Sequence, residues 1–236
     1  MKKDLNERRA LYGLNRTKNG NRVVHMFSNA PKLFREFLKI DGEEVVEIDI
    51  VSSQPSFLFV MMKKWYDFNN PNRNIVNSSL MYLEKFNLMS AIGKDLYNYM
   101  AFRTKGLKYL NDTNARKEMK ALFFRLIFGN PRYKLEGKSR KDLIIDIFGL
   151  DMYEFLMDIT NVEMGYKKKT SNLATLLQKE ESLFMDKVID KLMIEKLNFL
   201  PLYDSLIVKK CDAHRIRFLF NQVIKDENLA TIIKIK

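Results

Sequence analysis

The chain has 236 residues, 46% hydrophobic and 30% charged, with 41 Lys and Arg against 29 Asp and Glu for a net charge of +12. Such a composition can build a sizeable core, as one large domain or two small, closely packed ones, and excludes a disordered chain. The cationic excess points to nucleic acid as the first partner, Cys211 alone excludes an internal disulfide or a zinc cluster, and no window approaches the roughly 18 apolar residues of a membrane span.

The basic stretch 8–24, with its Asn19-Gly20 pair, predicts a hairpin over about 11–28. Pro31 opens a short helix, Lys32 to Ile40, that Asp41-Gly42 ends. Residues 44–51, rich in β-branched side chains, predict the first strand. The apolar stretch Ser56 to Trp65 reads as a buried helix with Pro55 in its first turn, and the Asn-rich 67–79 as a loop. Helical periodicity returns over 80–103. Asp112 or Thr113 caps a helix running to Phe128, where Gly129-Asn130-Pro131 stops it. Residues 142–159 read as a helix, 165–170 as a basic loop suited to phosphate or to solvent, and 171–197 as a long amphipathic helix. A strand, an Asp204-Ser205 turn, a second strand, a helix over 212–226 and a terminal strand over 231–235 complete an α+β chain with helices in the majority. His214 is expected on a helix surface.

Two acids stand out. Asp49 interrupts the run Val45-Val46-Glu47-Ile48-Asp49-Ile50-Val51, and Asp204 interrupts Leu200-Pro201-Leu202-Tyr203-Asp204-Ser205-Leu206. A carboxylate in a buried strand is costly unless something compensates it, and a divalent cation does so. If the hairpin bearing Asp204 packs beside the Asp49 strand, the two acids converge. Two Mg²⁺ or Mn²⁺ ions held about 3.5–4 Å apart could then activate a hydroxyl nucleophile and stabilise a departing pyrophosphate, with the Ile50 backbone carbonyl as a further ligand. Taken singly, Asp204-Ser205 is also ordinary turn chemistry, and Asp49 could pair with a basic side chain.

Between the acids, Arg116, Lys120, Phe124 and Phe128 recur every fourth residue, and Gly129 follows. On a helix they form one ridge, cationic at its start and aromatic at its end. Arg116 and Lys120 suit a triphosphate, Lys120 could protonate pyrophosphate, Phe124 and Phe128 suit a base or ribose, and Gly129 leaves room for a base pair. The plainer alternative is an amphipathic helix with charged first turns.

These residues resemble the three motifs of the family A polymerases, which include bacterial repair DNA polymerases and single-subunit phage and mitochondrial RNA polymerases. Glu47-Ile48-Asp49-Ile50-Val51-Ser52-Ser53-Gln54 is similar to motif A, Arg116 through Gly129 to motif B, and Tyr203-Asp204-Ser205 to motif C, in the family's order. The helix bearing Gln178 resembles the template-contacting segment. Gly20-Asn21-Arg22-Val23-Val24-His25 resembles the Gly-Arg hairpin before motif A, which would set Arg22 and His25 against primer or template backbone. The resemblance implies a helix-rich right-hand palm with a small antiparallel sheet, helical fingers and a reduced or absent thumb. It implies one compact unit with the palm at about 20–66 and 171–236 and the fingers at about 80–170. Asp49 and Asp204 would hold two Mg²⁺ or Mn²⁺ ions, and Gln54, Gln178, Tyr203 and Ser205 would meet nucleic acid.

Two departures bear on activity. Tyr203 replaces the usual His, and Pro55-Ser56 follow Gln54 where DNA polymerases of the family carry a Glu that excludes a 2′-hydroxyl. The resemblance therefore implies a primase or primase-polymerase of a phage, plasmid or mobile element, leaning to RNA synthesis. Its expected partners are template or primer, nucleoside triphosphates and a helicase or other replication protein. Its expected location is the cytoplasm, or the host cytosol if viral or plasmid-borne. The competing readings are a non-catalytic basic nucleic-acid-binding replication or regulatory protein, a template-independent nucleotidyltransferase, and a metal-dependent nuclease.

Overall fold

The computed structural model describes residues 15–17, 22–24, 28, 34, 37–69, 96–130, 132–162, 171–227, 229, 231 and 233–236. His25, the Asn19-Gly20 turn, the basic loop 165–170, most of the Asn-rich stretch and the first part of the 80–103 periodicity lie outside the described residues. The chain divides into two compact units, Met1–Gln54 with Leu176–Lys236, and Pro55–Thr175.

The first unit is built on an antiparallel sheet. Strand β1 (Asn15–Arg16) pairs with β2 (Val23–Val24) in a separate small ribbon. In the main sheet β3 (Lys39–Ile40) pairs with β4 (Glu43–Ile50), β4 with β8 (Ser205–Lys209), and β8 with β7 (Phe199–Leu202). Strand β9 (Ile233–Ile235) joins β4 opposite Ile48 to Ile50. The short helix expected to reach Ile40 gives way to a strand there, since Lys39 and Ile40 pair with Glu44 and Glu43. Asp41 and Gly42, at φ 52° and 80°, form the two-residue hairpin loop that an Asp-Gly pair favours.

Alternation along β4 sends Ile48 and Ile50 into the core, where they are 0% and 2% exposed. On that face the sheet's Leu206 and Val208 join a core with Ile216 and Phe220 of helix α7 (Ala213–Asp226) and with Val188 and Leu192 of the long helix α6 (Ser171–Ile194), all fully buried. Phe184 and Phe220 bring their rings to 5.9 Å.

The second unit is helical. Helix α1 (Ser53–Asn69) starts in the first unit and runs into it from Pro55. Helices α2 (Leu96–Lys105), α3 (Thr113–Phe128), α4 (Arg140–Phe148) and α5 (Leu150–Val162) follow, with the ribbon β5 (Lys134–Leu135) and β6 (Lys138–Ser139) between α3 and α4. The helix expected over 142–159 is two helices. Gly149, at φ 95°, ends the first by donating its N–H to Ile145, a turn that a residue with a Cβ would resist. Phe123 is the hub of this core, edge-on to Tyr97 at 5.8 Å and to Phe148 at 6.1 Å. Among the described residues no helix is long and apolar enough to cross a membrane.

Candidate active site

Register brings the two acids together. Strands β4 and β8 pair antiparallel with Asp49 opposite Ser205, so Asp204, in the loop between β7 and β8, sits at the end of the Asp49 strand. The N–H of Ile50 donates to the carbonyl of Asp204 at 3.3 Å. Asp49 is not the buried acid that its apolar neighbours suggest. Ile48 and Ile50 face the core while Asp49 and Glu47 face the other way, and the Asp49 side chain keeps 20% exposure. Partial burial still pushes the Asp49 carboxyl above its ordinary range; Lys236 opposes the rise, and the negative charges of Asp204 and Glu47 add to it. The Lys236 ammonium is hydrogen-bonded to Asp49 Oδ2 and lies 3.7 Å from Glu47 Oε1. This follows from register: Lys236 exchanges both backbone hydrogen bonds with Glu47, which places its side chain on the Asp49 face.

Asp204 is held from the side. Ser53 Oγ, in the first turn of α1, donates to Asp204 Oδ2 at 2.6 Å and lies 3.3 Å from Glu181 Oε2. Gln54 Nε2 donates to the same Glu181 oxygen at 3.2 Å. Glu181, on α6, is completely buried and forms an ion pair with Arg22, whose guanidinium stands 5.3 Å from the centroid of the Tyr203 ring. Burial first, and the charge of Asp204 second, push the Glu181 carboxyl up to about 7, against the pull of Arg22 and Ser53.

Gln178 is partly exposed one helical turn before Glu181. Ser205 is 4% exposed, and its hydroxyl donates to the Leu202 carbonyl at 3.1 Å, inside the hairpin. Arg22 faces Glu181 and Tyr203, and His25 lies outside the described residues.

In the second unit, Asp112 caps α3 by accepting from the N–H of Ala115 at 2.6 Å. The buried face of α3 carries Ala115, Met119, Leu122, Phe123, Leu126 and Ile127. That leaves Arg116 and Phe128 half-buried and Lys120 and Phe124 exposed along one ridge. Phe124 and Phe128 stack at 5.6 Å with a 31° tilt, and the Arg116 guanidinium sits 5.3 Å from the Tyr97 ring centroid. Arg140 caps the far end of α3, donating from Nε to Leu126 O at 2.5 Å and from a terminal nitrogen to Ile127 O at 3.1 Å.

Among the described residues no group of three or more His, Cys, Asp or Glu is arranged to hold a metal ion. Asp49 and Asp204 are a pair, and Mg²⁺ commonly takes one or two carboxylates with the rest of its shell from water and substrate phosphates. The donor set therefore fits ions that arrive with a polyphosphate better than ions resident in the protein alone.

Sequence reasoning passed over Ser53, Glu181 and Lys236. The signal for Glu181 was present: Leu177, Phe184 and Val188 form the buried stripe of α6, and Glu181 is the acid at helical spacing inside it.

No protein-family model matches the chain, and no curated protein matches it. Among solved structures it is similar to the POL domain of Pol1 from M. smegmatis, in complex with DNA primer-template and dNTP, with a TM-score of 0.63 and 14% identity over 94% of this chain and 46% of that one. The chain thus spans about half the length of that polymerase domain. At such low identity the likeness is one of fold: a helix-rich α+β chain with a small antiparallel sheet, folded like a polymerase domain.

Proposed function

We propose that this chain catalyses template-directed nucleotidyl transfer by a two-metal mechanism, as a primase or primase-polymerase of a phage, plasmid or mobile element. The observation that carries the reading is the approach of Asp49 and Asp204, more than 150 positions apart, where Asp49 stands opposite Ser205 and the Ile50 N–H donates to the Asp204 carbonyl. The first unit would act as the palm. Asp49, Asp204 and the Ile50 carbonyl would hold Mg²⁺ or Mn²⁺, which lowers the pKa of a primer hydroxyl and offsets charge on the phosphates. The second unit would supply the fingers. Arg116 and Lys120 would neutralise the triphosphate, Lys120 would donate the proton to pyrophosphate, and the Phe124–Phe128 stack with Gly129 would bound the base. The net charge of +12 supports a nucleic-acid partner, and the fold neighbour's primer-template and dNTP are the ligand classes the reading requires.

One observation favours a second reading, a nucleic-acid-binding protein on the same scaffold without turnover. The Asp49 carboxylate already has a cation, the Lys236 ammonium, so no ion is needed to neutralise it.

The deciding experiment incubates the protein with primed and unprimed templates, Mg²⁺ or Mn²⁺, and labelled ribo- or deoxyribonucleotides. Extension that disappears in Asp49→Ala and Asp204→Ala, with template affinity retained, supports the enzyme. Template binding without extension under every condition supports the binder. The sugar incorporated tests the expectation of RNA synthesis.

A further inference from the structure

The loop that carries Asp204 is backbone-strained, and two separate sets of contacts reach it from one buried residue. Tyr203 precedes Asp204 at φ 54°, in the left-handed region that aromatic residues rarely enter, and only the two residues Tyr203 and Asp204 join β7 to β8. A position of that kind persists when its surroundings hold it. Here they are the Arg22 guanidinium against the Tyr203 ring, and Ser53 against the Asp204 carboxylate. Both lead to Glu181, whose Oε1 pairs with Arg22 and whose Oε2 faces Ser53 and accepts from Gln54.

From this convergence we infer that Glu181 is a positioning residue for Asp204: it orients Ser53 onto the Asp204 carboxylate and holds Arg22 beneath the Tyr203 ring, fixing the loop in the conformation that binds metal. A fully buried carboxylate is expensive to keep, and an apolar residue would suit the stripe of Leu177, Phe184 and Val188 better. A hydrophobic side chain there would leave Arg22 without its anion and Ser53 and Gln54 without a common neighbour. Arg22 is thereby assigned a different part from a phosphate-gripping cation. Its charge is taken up inside the protein, and its ring contact holds the loop.

The inference rests on the reading of Asp204 as a metal ligand, so its test has one readout independent of turnover. Mn²⁺ affinity of the full chain is measured by electron paramagnetic resonance for the wild type, Glu181→Ala, Glu181→Gln, Ser53→Ala and Arg22→Lys, beside single-turnover extension and a melting curve for each. Glu181→Ala should fold, bind Mn²⁺ about tenfold more weakly and lower the extension rate about 10²-fold at saturating nucleotide, with KM changed little, since a displaced ligand acts on the reacting geometry rather than on substrate affinity. Glu181→Gln, which keeps an acceptor for Ser53, should recover part of the loss. Adding Ser53→Ala to Glu181→Ala should cost less than the two single losses combined. A folded Glu181→Ala with wild-type Mn²⁺ affinity overturns the inference. Should Glu181→Ala not fold, Ser53→Ala and Arg22→Lys decide it, and wild-type Mn²⁺ affinity in both overturns it. A wild type that binds Mn²⁺ through Asp204 but extends no primer removes the proposed function and leaves the positioning role to be judged on Mn²⁺ affinity alone.

Discussion

The Lys236 ammonium and the Asp49 carboxylate form an ion pair across adjacent strands, and the negative charge of Asp204 acts on that same carboxylate. The ammonium on Asp49 Oδ2 repels a second cation at the same carboxylate, so a metal ion held there as proposed would compete with Lys236. The Lys236 side chain is 41% exposed, and an exposed pair of this kind contributes only about 0–1 kcal/mol to stability. Lys236→Met should therefore melt within a few degrees of the wild type while binding Mn²⁺ more tightly, by roughly three- to tenfold if the displaced pair is worth about 1 kcal/mol. Titration of Mn²⁺ into both proteins checks this. Weaker binding in Lys236→Met would instead make the lysine a partner of the metal-bound state.

Glu181 makes stability depend on pH. Burial first and the charge of Asp204 second raise its ordinary pKa of 4.5 to about 7 in the fold, against the pull of Arg22 and Ser53. The folded state then holds this proton more tightly than the unfolded chain, so the contribution is complete below pH 4.5 and is lost as pH rises through 7. At about 1.4 kcal/mol per pH unit the loss is on the order of 3 kcal/mol. Denaturant unfolding of the wild type and Glu181→Gln across pH 4 to 9 should show the difference between them moving in favour of the Gln variant between 4.5 and 7 and then levelling. A constant difference would mean that the carboxyl titrates normally.

Much of this was legible in the sequence, for reasons that particular residues make plain. Strands β4, β7 and β8 and helix α3 announce themselves by β-branched runs, by a polar pair between two apolar runs, and by a cap at Asp112 with a stop at Gly129. Local chemistry fixes such elements. The Asp41-Gly42 hairpin was equally local, but Asp-Gly ends helices and closes hairpins alike, and only the pairing of Lys39 with Glu44 distinguishes them. Asp49 and Asp204 were visible as anomalies. The contacts that hold them are less legible: Glu181 shows only as an acid inside the apolar stripe of α6, and the parts of Ser53, Arg22 and Lys236 come from tertiary contact. Lys236 meets Asp49 only because β9 enters beside β4 in one register, which no composition reveals.

Substitutions on the α3 ridge can tell a catalytic lysine from a solvated one. Lys120 is exposed, while the helix is held by the opposite face. Lys120→Ala should therefore leave melting unchanged within about 0.5 kcal/mol, as for an ordinary surface substitution. If Lys120 is the general acid, single-turnover incorporation should fall about 10²–10⁴-fold. Lys120→Arg should restore charge but little of the rate, because a guanidinium gives up its proton far less readily than an ammonium. Equal activity in all three proteins would return the ridge to an amphipathic helix with a solvated charge.

Gly129 offers a test in which steric cause and functional cause part company. It follows the last turn of α3 and donates its N–H to Arg125 O at 3.0 Å. A Cβ placed on it would come within 2.1 Å of that same carbonyl oxygen and 2.9 Å of its carbon, well inside any tolerated contact, and both of those Arg125 atoms belong to the backbone. Relief requires the helix end to move, and with it the Leu126 and Ile127 carbonyls that Arg140 caps. Gly129→Ala should destabilise the chain by about 1–3 kcal/mol, the range of overpacked positions, and thermal melting of the wild type and the variant measures it. The capping arm gives an internal control. Arg140→Ala frees the same carbonyls without a clash, so Gly129→Ala should add less destabilisation on the Arg140→Ala background than on the wild type, where moving the helix end also breaks the cap. Additive losses would mean that the clash is absorbed elsewhere and that Gly129 is present for what passes beside it.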